Sequence, residues 1–194
     1  MKRELARKSF HVASVAVPLL VWVAPELVAS AALAALAIVA VAVDMARLSF
    51  RFPRYHFLRL TRRMLRPHER RRLAGATWMA LAYAAAVFFL PKHIAVAAML
   101  FNGLGDAAAA LVGKRWGRHR TRWGKSWEGF AAGLAVNLAA GIGVALLSGR
   151  VPVLAAVAGA VVAASLEMAD LPIDDNVRVT LGGGLAATAV AMLS

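Results

Sequence analysis

Residues 93–117 read HIAVAAMLFNGLGDAAAALVGKRWG, and the fold turns on how this stretch is understood. Its first part is an apolar run of the length, about 20 residues, that a helix needs to cross a bilayer. Asp106 then stands among glycines and alanines, four residues after Asn102, and the run ends in cations. An apolar segment that closes on a basic loop is the pattern of a spanning helix meeting one side of a membrane.

Working outward, composition agrees. The chain has 194 residues, 61% hydrophobic and 17% charged, whereas a soluble domain carries about 45–50% apolar and about 25% charged residues. Apolar segments occur at 9–25, 27–46, 74–91, 93–112, 127–148, 151–169 and 178–194. They predict an all-α, polytopic integral membrane protein of about seven transmembrane helices, forming a single membrane domain over 1–194. The start, MKRELARKSFH, is basic and leads into an apolar run containing Pro18 and Pro25 without a small-residue cleavage site. It reads as a retained first helix rather than a signal peptide. There is no cysteine, which excludes disulfides and cysteine metal sites.

The net charge of +13 is unevenly placed. Four cations precede the first apolar run, ten lie in the 47–73 arm, six in the 113–126 loop, and Arg178 precedes the last helix; only Lys92 and Arg150 fall on the other side. This bias predicts a cytoplasmic N-terminus and an external C-terminus in the cell (inner) membrane. It also accounts for the charge by attraction to anionic lipid, with no nucleic acid as partner. In the arm, Phe57, Leu58, Leu60, Met64 and Leu65 alternate with Arg54, Arg59, Arg62, Arg63 and Arg66, the pattern of a basic helix lying in the membrane interface.

The acidic residues are as one-sided. Of ten, Glu26 falls on the outer side; the rest fall at predicted cytoplasmic ends. A transporter is expected to place polar groups near the midplane. A site at the cytoplasmic interface fits this distribution better.

Three clusters compose that candidate site. Asn102 and Asp106 share a helix face, beside a stripe of Gly105, Ala109, Gly113 and Gly117 that lets a helix or a ligand approach closely. The loop GKRWGRHRTRWGKS, 113–126, holds Lys114, Lys125 and four arginines. Gly124-Lys125-Ser126 is not a P-loop, because His119 stands where that motif requires glycine. Lys125 and Ser126 instead open a helix, with Glu128 and Gly129 in its first turn, and helix starts attract phosphate. Ser126 and Glu128 taken separately also read as an ordinary N-cap and first-turn acid. The third cluster, SLEMADLPIDDNVRV at 165–179, gathers Glu167, Asp170, Asp174, Asp175 and Asn176. Hard oxygen donors of this kind suit Mg²⁺ holding phosphates, although Asp-Asp-Asn alone is also a turn and cap sequence.

Five stretches, ARKSFH (6–11), LRPHERRRLAGAT (65–77), LGDAAAALVGKRWG (104–117), GKSWEG (124–129) and LPIDDN (171–176), together resemble the dolichol kinase / phytol kinase / CTP-dependent diacylglycerol kinase family, over nearly the whole chain and in a compact prokaryotic form. The Gly-Asp-x-x-Ala-Ala-x-x-Gly stretch is shared with phosphatidate cytidylyltransferases. The resemblance implies transfer of the γ-phosphate of CTP, or another pyrimidine nucleoside triphosphate, to a lipid alcohol: a prenol, a polyprenol or a diacylglycerol. It implies Asp106, Asp174 and Asp175 as catalytic groups, and these with Glu167 as ligands of Mg²⁺. Nucleotide contacts are expected from Asn102, Gly105, Lys114, Lys125, Ser126, Glu128, Gly129 and Asn176. Arg7, Lys8 and His11 match a motif of open role, and Asp170 has none assigned. Two other functions stay open: a phosphatidate cytidylyltransferase, and a lipid-binding or transport protein without enzymatic activity.

Overall fold

The structure, a computed structural model, describes residues 13–61, 65 and 68–194. Arg7, Lys8 and His11 lie outside the described residues, as do Arg62, Arg63, Met64 and Arg66 of the arm.

Among the described residues the secondary structure is helical apart from one isolated β-bridge, Arg120 to Ser126. The helices are α1 (Ala16–Val23), α2 (Glu26–Ser49), α3 (Arg51–Thr61), α4 (Gly75–Phe89), α5 (Lys92–Trp116), α6 (Trp127–Ser148), α7 (Val153–Met168) and α8 (Asp175–Ala191). Each apolar segment of the sequence therefore carries a helix. Three of them, α2, α5 and α6, are long and apolar enough to cross a membrane; α4 and α7 are apolar but shorter. On α2, Leu27, Val28, Leu36, Ile38, Val39 and Val43 are exposed. So continuous an apolar surface is stable only against lipid or another apolar partner.

Local chemistry sets the helix ends. Pro25, Pro91 and Pro152 stand immediately before α2, α5 and α7, where a fixed φ sets the chain's entry into each helix. Gly149 closes α6 at φ 61°, the left-handed conformation that glycine alone adopts without steric cost. At the opposite end, α6 and α8 begin with side-chain caps. Ser126 Oγ accepts from Gly129 N at 3.1 Å, and Asp174 Oδ1 accepts from Asn176 N at 3.0 Å.

Helix α5 is the centre of the bundle: Ala95, Val96, Ala98, Met99 and Phe101 are fully buried. It runs antiparallel to α6 in a zipper of small residues four apart. A Cβ on Gly113 would come within 3.4 Å of Gly129 Cα, and one on Gly133 within 3.1 Å of Ala109 Cβ. One on Gly105 would collide with the Asn137 side chain. The small-residue stripe thus packs a helix, as close approach in lipid requires. One step further, the Phe101 ring sits among Gly141, Gly159 and Gly183 of three other helices, at 3.1 to 3.3 Å from where each Cβ would be. Between Phe101 and Gly105 α5 opens into a π turn, the widened geometry often found at functional sites.

The 47–73 arm is tied at its root. Asp44 and Arg47 form a buried ion pair in the last turns of α2. Asp44 Oδ2 accepts from Ala74 N and Thr77 Oγ1, both at 2.7 Å. Arg47 donates to the carbonyls of Glu69 at 3.0 Å and Arg72 at 2.7 Å. Arg47, counted from the sequence among the arm's surface cations, is instead an internal clasp: a charge this deeply buried is held by its partners. Helix α3 itself buries no residue.

Candidate functional site

The basic loop is built to lie over the ends of α6 and α7. Thr121 N donates to the Lys125 carbonyl at 2.7 Å, and Gly124 takes φ 86° at the turn. Arg120 donates to the carbonyls of Gly124 and Gly113, each at 3.1 Å, folding the loop back on α5. Trp123 Nε1 donates to the Met168 carbonyl at 2.8 Å, and Lys125 Nζ pairs with Glu167 Oε1 at 2.8 Å while also contacting the Glu167 carbonyl. Lys125, one of six cations in the loop, is thereby fixed against the acidic end of α7.

Beneath the loop, α5, α6, α7 and α8 enclose a cavity of about 470 Å³. Its lining carries the cations Lys114, Arg120 and Lys125 and the carboxylates Asp106, Glu167 and Asp175. The lining also includes the apolar Phe101, Ala164 and Val179 and the amide of Asn137. Asp175 is further held by Arg178, which also donates to the Ala169 carbonyl at 2.8 Å. Charges of both signs around one cavity can hold a polyanion and position a metal beside it.

Of the residues singled out in the sequence, Gly105, Asp106, Lys114, Lys125, Ser126, Gly129, Glu167 and Asp175 line this cavity. Asn102, Glu128, Asp170, Asp174 and Asn176 do not line it. Asn102 Nδ2 donates to Asn176 Oδ1 at 3.1 Å, and Asn176 Nδ2 donates to the Gly75 carbonyl at 3.1 Å and to Asp174 Oδ1 at 2.8 Å. This amide chain joins α5, α8 and α4 just outside the cavity. The i, i+4 pairing of Asn102 with Asp106 straddles the π turn, whose i→i+5 bonding breaks the α-helical register on which that spacing depends. Glu128 pairs with His119 at 2.7 Å on the outside of the loop.

Three residues of the site escaped the sequence reading. Arg120 was one of six loop cations with nothing local to distinguish it. Arg178 sits three residues from Asp175, a spacing that could have signalled the pair. Asn137 lies in an apolar run, and a lone amide there was itself the missed signal.

The donor set fits a divalent cation. Glu167 Oε2 is buried with no hydrogen-bond partner, and Asp106 and Asp175 line the same cavity with hard oxygen donors. Among the described residues no three His, Asp or Glu side chains gather into a ready-made metal cage. Mg²⁺ needs no such cage, since it commonly takes one or two carboxylates and completes its shell with phosphate and water.

An apolar helical bundle with this charged cavity defines a membrane-associated protein. The chain is 38% identical over 110 residues to the phytol kinase of Synechocystis sp.. The alignment covers 54% of this chain and 47% of that relative, so the chain spans about half the length of the curated relative it matches. No family model matches the chain, and no solved structure matches it.

Proposed function

We propose that the protein is a CTP-dependent lipid alcohol kinase of the cell membrane, with about seven spanning helices, its N-terminus and active site on the cytoplasmic side and its C-terminus outside. The observation that carries the reading is the convergence of Lys114, Arg120 and Lys125 with Asp106, Glu167 and Asp175 around one cavity. Similarity to a phytol kinase supports an alcohol as acceptor.

Phosphoryl transfer requires positioning and charge neutralisation more than covalent chemistry from the protein. Lys114, Lys125 and Arg120 hold the triphosphate at the cavity mouth. Asp106, Glu167 and Asp175 would hold Mg²⁺, which would supply further neutralisation of the phosphate oxygens. The acceptor enters with its chain among the apolar helices and its hydroxyl toward Asp106. The bond that forms joins the hydroxyl oxygen to the γ-phosphorus, and the bond between that phosphorus and the β,γ-bridging oxygen breaks. CDP leaves, and Asp106 or Asp175 accepts or orients the hydroxyl proton. The acceptor class is a prenol such as phytol, a polyprenol or a diacylglycerol.

The test uses purified protein, Mg²⁺ and CTP labelled separately at the α- and γ-phosphates, with prenols, diacylglycerol and phosphatidate as acceptors. Label from the γ position in the lipid is expected. Label from the α position would make the protein a cytidylyltransferase, and lipid binding with no transfer would leave a binding or transport protein.

A further inference from the structure

Three charged residues play no part in the chemistry above. Glu26 opens α2, Lys92 opens α5, and Arg150 follows the close of α6. By the charge map of the sequence they are also the two cations and the one acid predicted on the far side of the membrane. The structure brings all three to the lining of a second cavity, of about 770 Å³. Along α5, Lys92 and Asp106 are about 20 Å apart at 1.5 Å per residue, so this cavity and the first lie toward opposite ends of the α5–α6 pair. Lys92 Nζ donates to the Ala24 carbonyl at 2.7 Å, which leaves two of its three N–H groups for another acceptor. Glu26 and Arg150 are exposed, and neither side chain forms an ion pair with another described residue. All three charges lie close enough to the imidazole of His93, another lining residue, to act on it electrostatically. Apolar groups share the lining: Phe88 and Leu147 are 59% and 82% exposed, and Trp22 packs edge-on against His93 with 5.0 Å between ring centroids.

We propose that this second cavity binds the headgroup of a phospholipid carrying a primary amine, its phosphodiester held by Lys92 and Arg150 and its ammonium by Glu26. The inference rests on the reading of the bundle as a membrane protein and is independent of the reaction at the other end. Cations at helix ends often reach for headgroups one at a time. Here two from different helices share one cavity with an acid, and that combination decides the class of headgroup. A zwitterion matches it: the phosphate accepts charge-assisted hydrogen bonds from Lys92 and Arg150, and the ammonium donates to Glu26. A purely anionic head would set a second negative charge beside Glu26. A quaternary amine has no N–H to offer the carboxylate. A soluble phosphate ester would satisfy the cations but leave Phe88 and Leu147 bare, whereas the acyl chains of a lipid cover them.

The experiment measures binding of phosphatidylethanolamine, phosphatidylcholine and phosphatidylglycerol, of matched acyl chains, to the full chain in detergent by native mass spectrometry. Soluble phosphoethanolamine is added as a competitor. Wild type is expected to hold phosphatidylethanolamine about fivefold more tightly than phosphatidylcholine, the upper range for an exposed ion pair. In Glu26→Gln that preference falls to near one. In Arg150→Gln both lipids weaken by about fivefold. Lys92 is left in place because it also anchors the Ala24 carbonyl. Both substituted side chains are exposed, so helical content and CTP binding are expected to stay as in wild type. Equal binding of the two lipids by wild type would overturn the proposal without any variant. So would an unchanged preference in Glu26→Gln or unchanged affinities in Arg150→Gln. Tighter binding of phosphatidylglycerol than of phosphatidylethanolamine would overturn it by reducing the site to an anion site, and displacement by phosphoethanolamine would do so by assigning the cavity to a soluble ester. No phosphoryl transfer is read, so failure of the kinase reading leaves the lipid preference standing, and failure of the preference leaves the kinase reading standing.

Discussion

Gly105 and Asn137 face each other across the α5–α6 contact so closely that any side chain on the first would occupy the space of the second. Asp106, one residue on from Gly105, lines the same cavity as Asn137. Gly105→Ala is therefore expected to be damaging twice over. Overpacking of a close contact costs about 1–3 kcal/mol, seen as a lowered Tm in detergent, and the displaced amide impairs lipid phosphorylation even in the fraction that folds. A variant with wild-type Tm and activity would show that the contact tolerates a methyl group.

Asn137→Leu moves the other way in stability. Removing an unpaired buried acceptor is expected to raise stability by about 1 kcal/mol, read as a higher Tm; an unchanged or lower Tm would show that the amide is satisfied where it packs against Gly105.

Asp106→Asn and Asp175→Asn are expected to fold normally and to lose lipid phosphorylation by about 10²-fold or more, the scale of removing a group that handles charge or a proton in the transition state. Full activity in both would remove the carboxylates from the chemistry. Because Arg178 pairs with Asp175, Arg178→Gln should reproduce part of the Asp175 defect.

Lys125 and Glu167 bridge the basic loop to α7 at 2.8 Å, so their effects should not add. Lys125→Met raises the KM for CTP; Glu167→Gln lowers kcat; the double variant loses less than the two losses combined. Residues in one charge pair couple by about 0.5–3 kcal/mol, and a double-mutant cycle on kcat/KM measures it. Strict additivity would mean that the pair is not maintained during the reaction.

The clasp at the arm should fail differently. Arg47→Ala strands the buried Asp44 carboxylate, and breaking one side of such a pair costs about 3–5 kcal/mol. A fall in Tm or in the yield of folded protein is expected, with CTP affinity unchanged in whatever folds. A selective loss of CTP binding would place the arm in the site.

Two features of this protein were legible in its sequence. The helical, apolar character of the bundle follows from run length and composition, and the kinds of charged group that line the cavity follow from the basic 113–126 loop and the acidic 165–179 stretch. Both are properties of the chain taken a segment at a time. Eight of the residues singled out on chemical grounds line one cavity, because groups at the same end of neighbouring helices have few other places to meet. What the sequence could not decide is which member of each cluster turns inward. Asp174 and Asp175 are adjacent, yet the first caps α8 while the second, paired with Arg178, lines the cavity. Asn102 turns to Asn176, 74 positions along the chain, and Asn137 to Gly105. These choices depend on how helices distant in sequence pack, on a π turn that alters the local register, and on glycines that admit close approach. Local periodicity carries none of that; only the assembled bundle does.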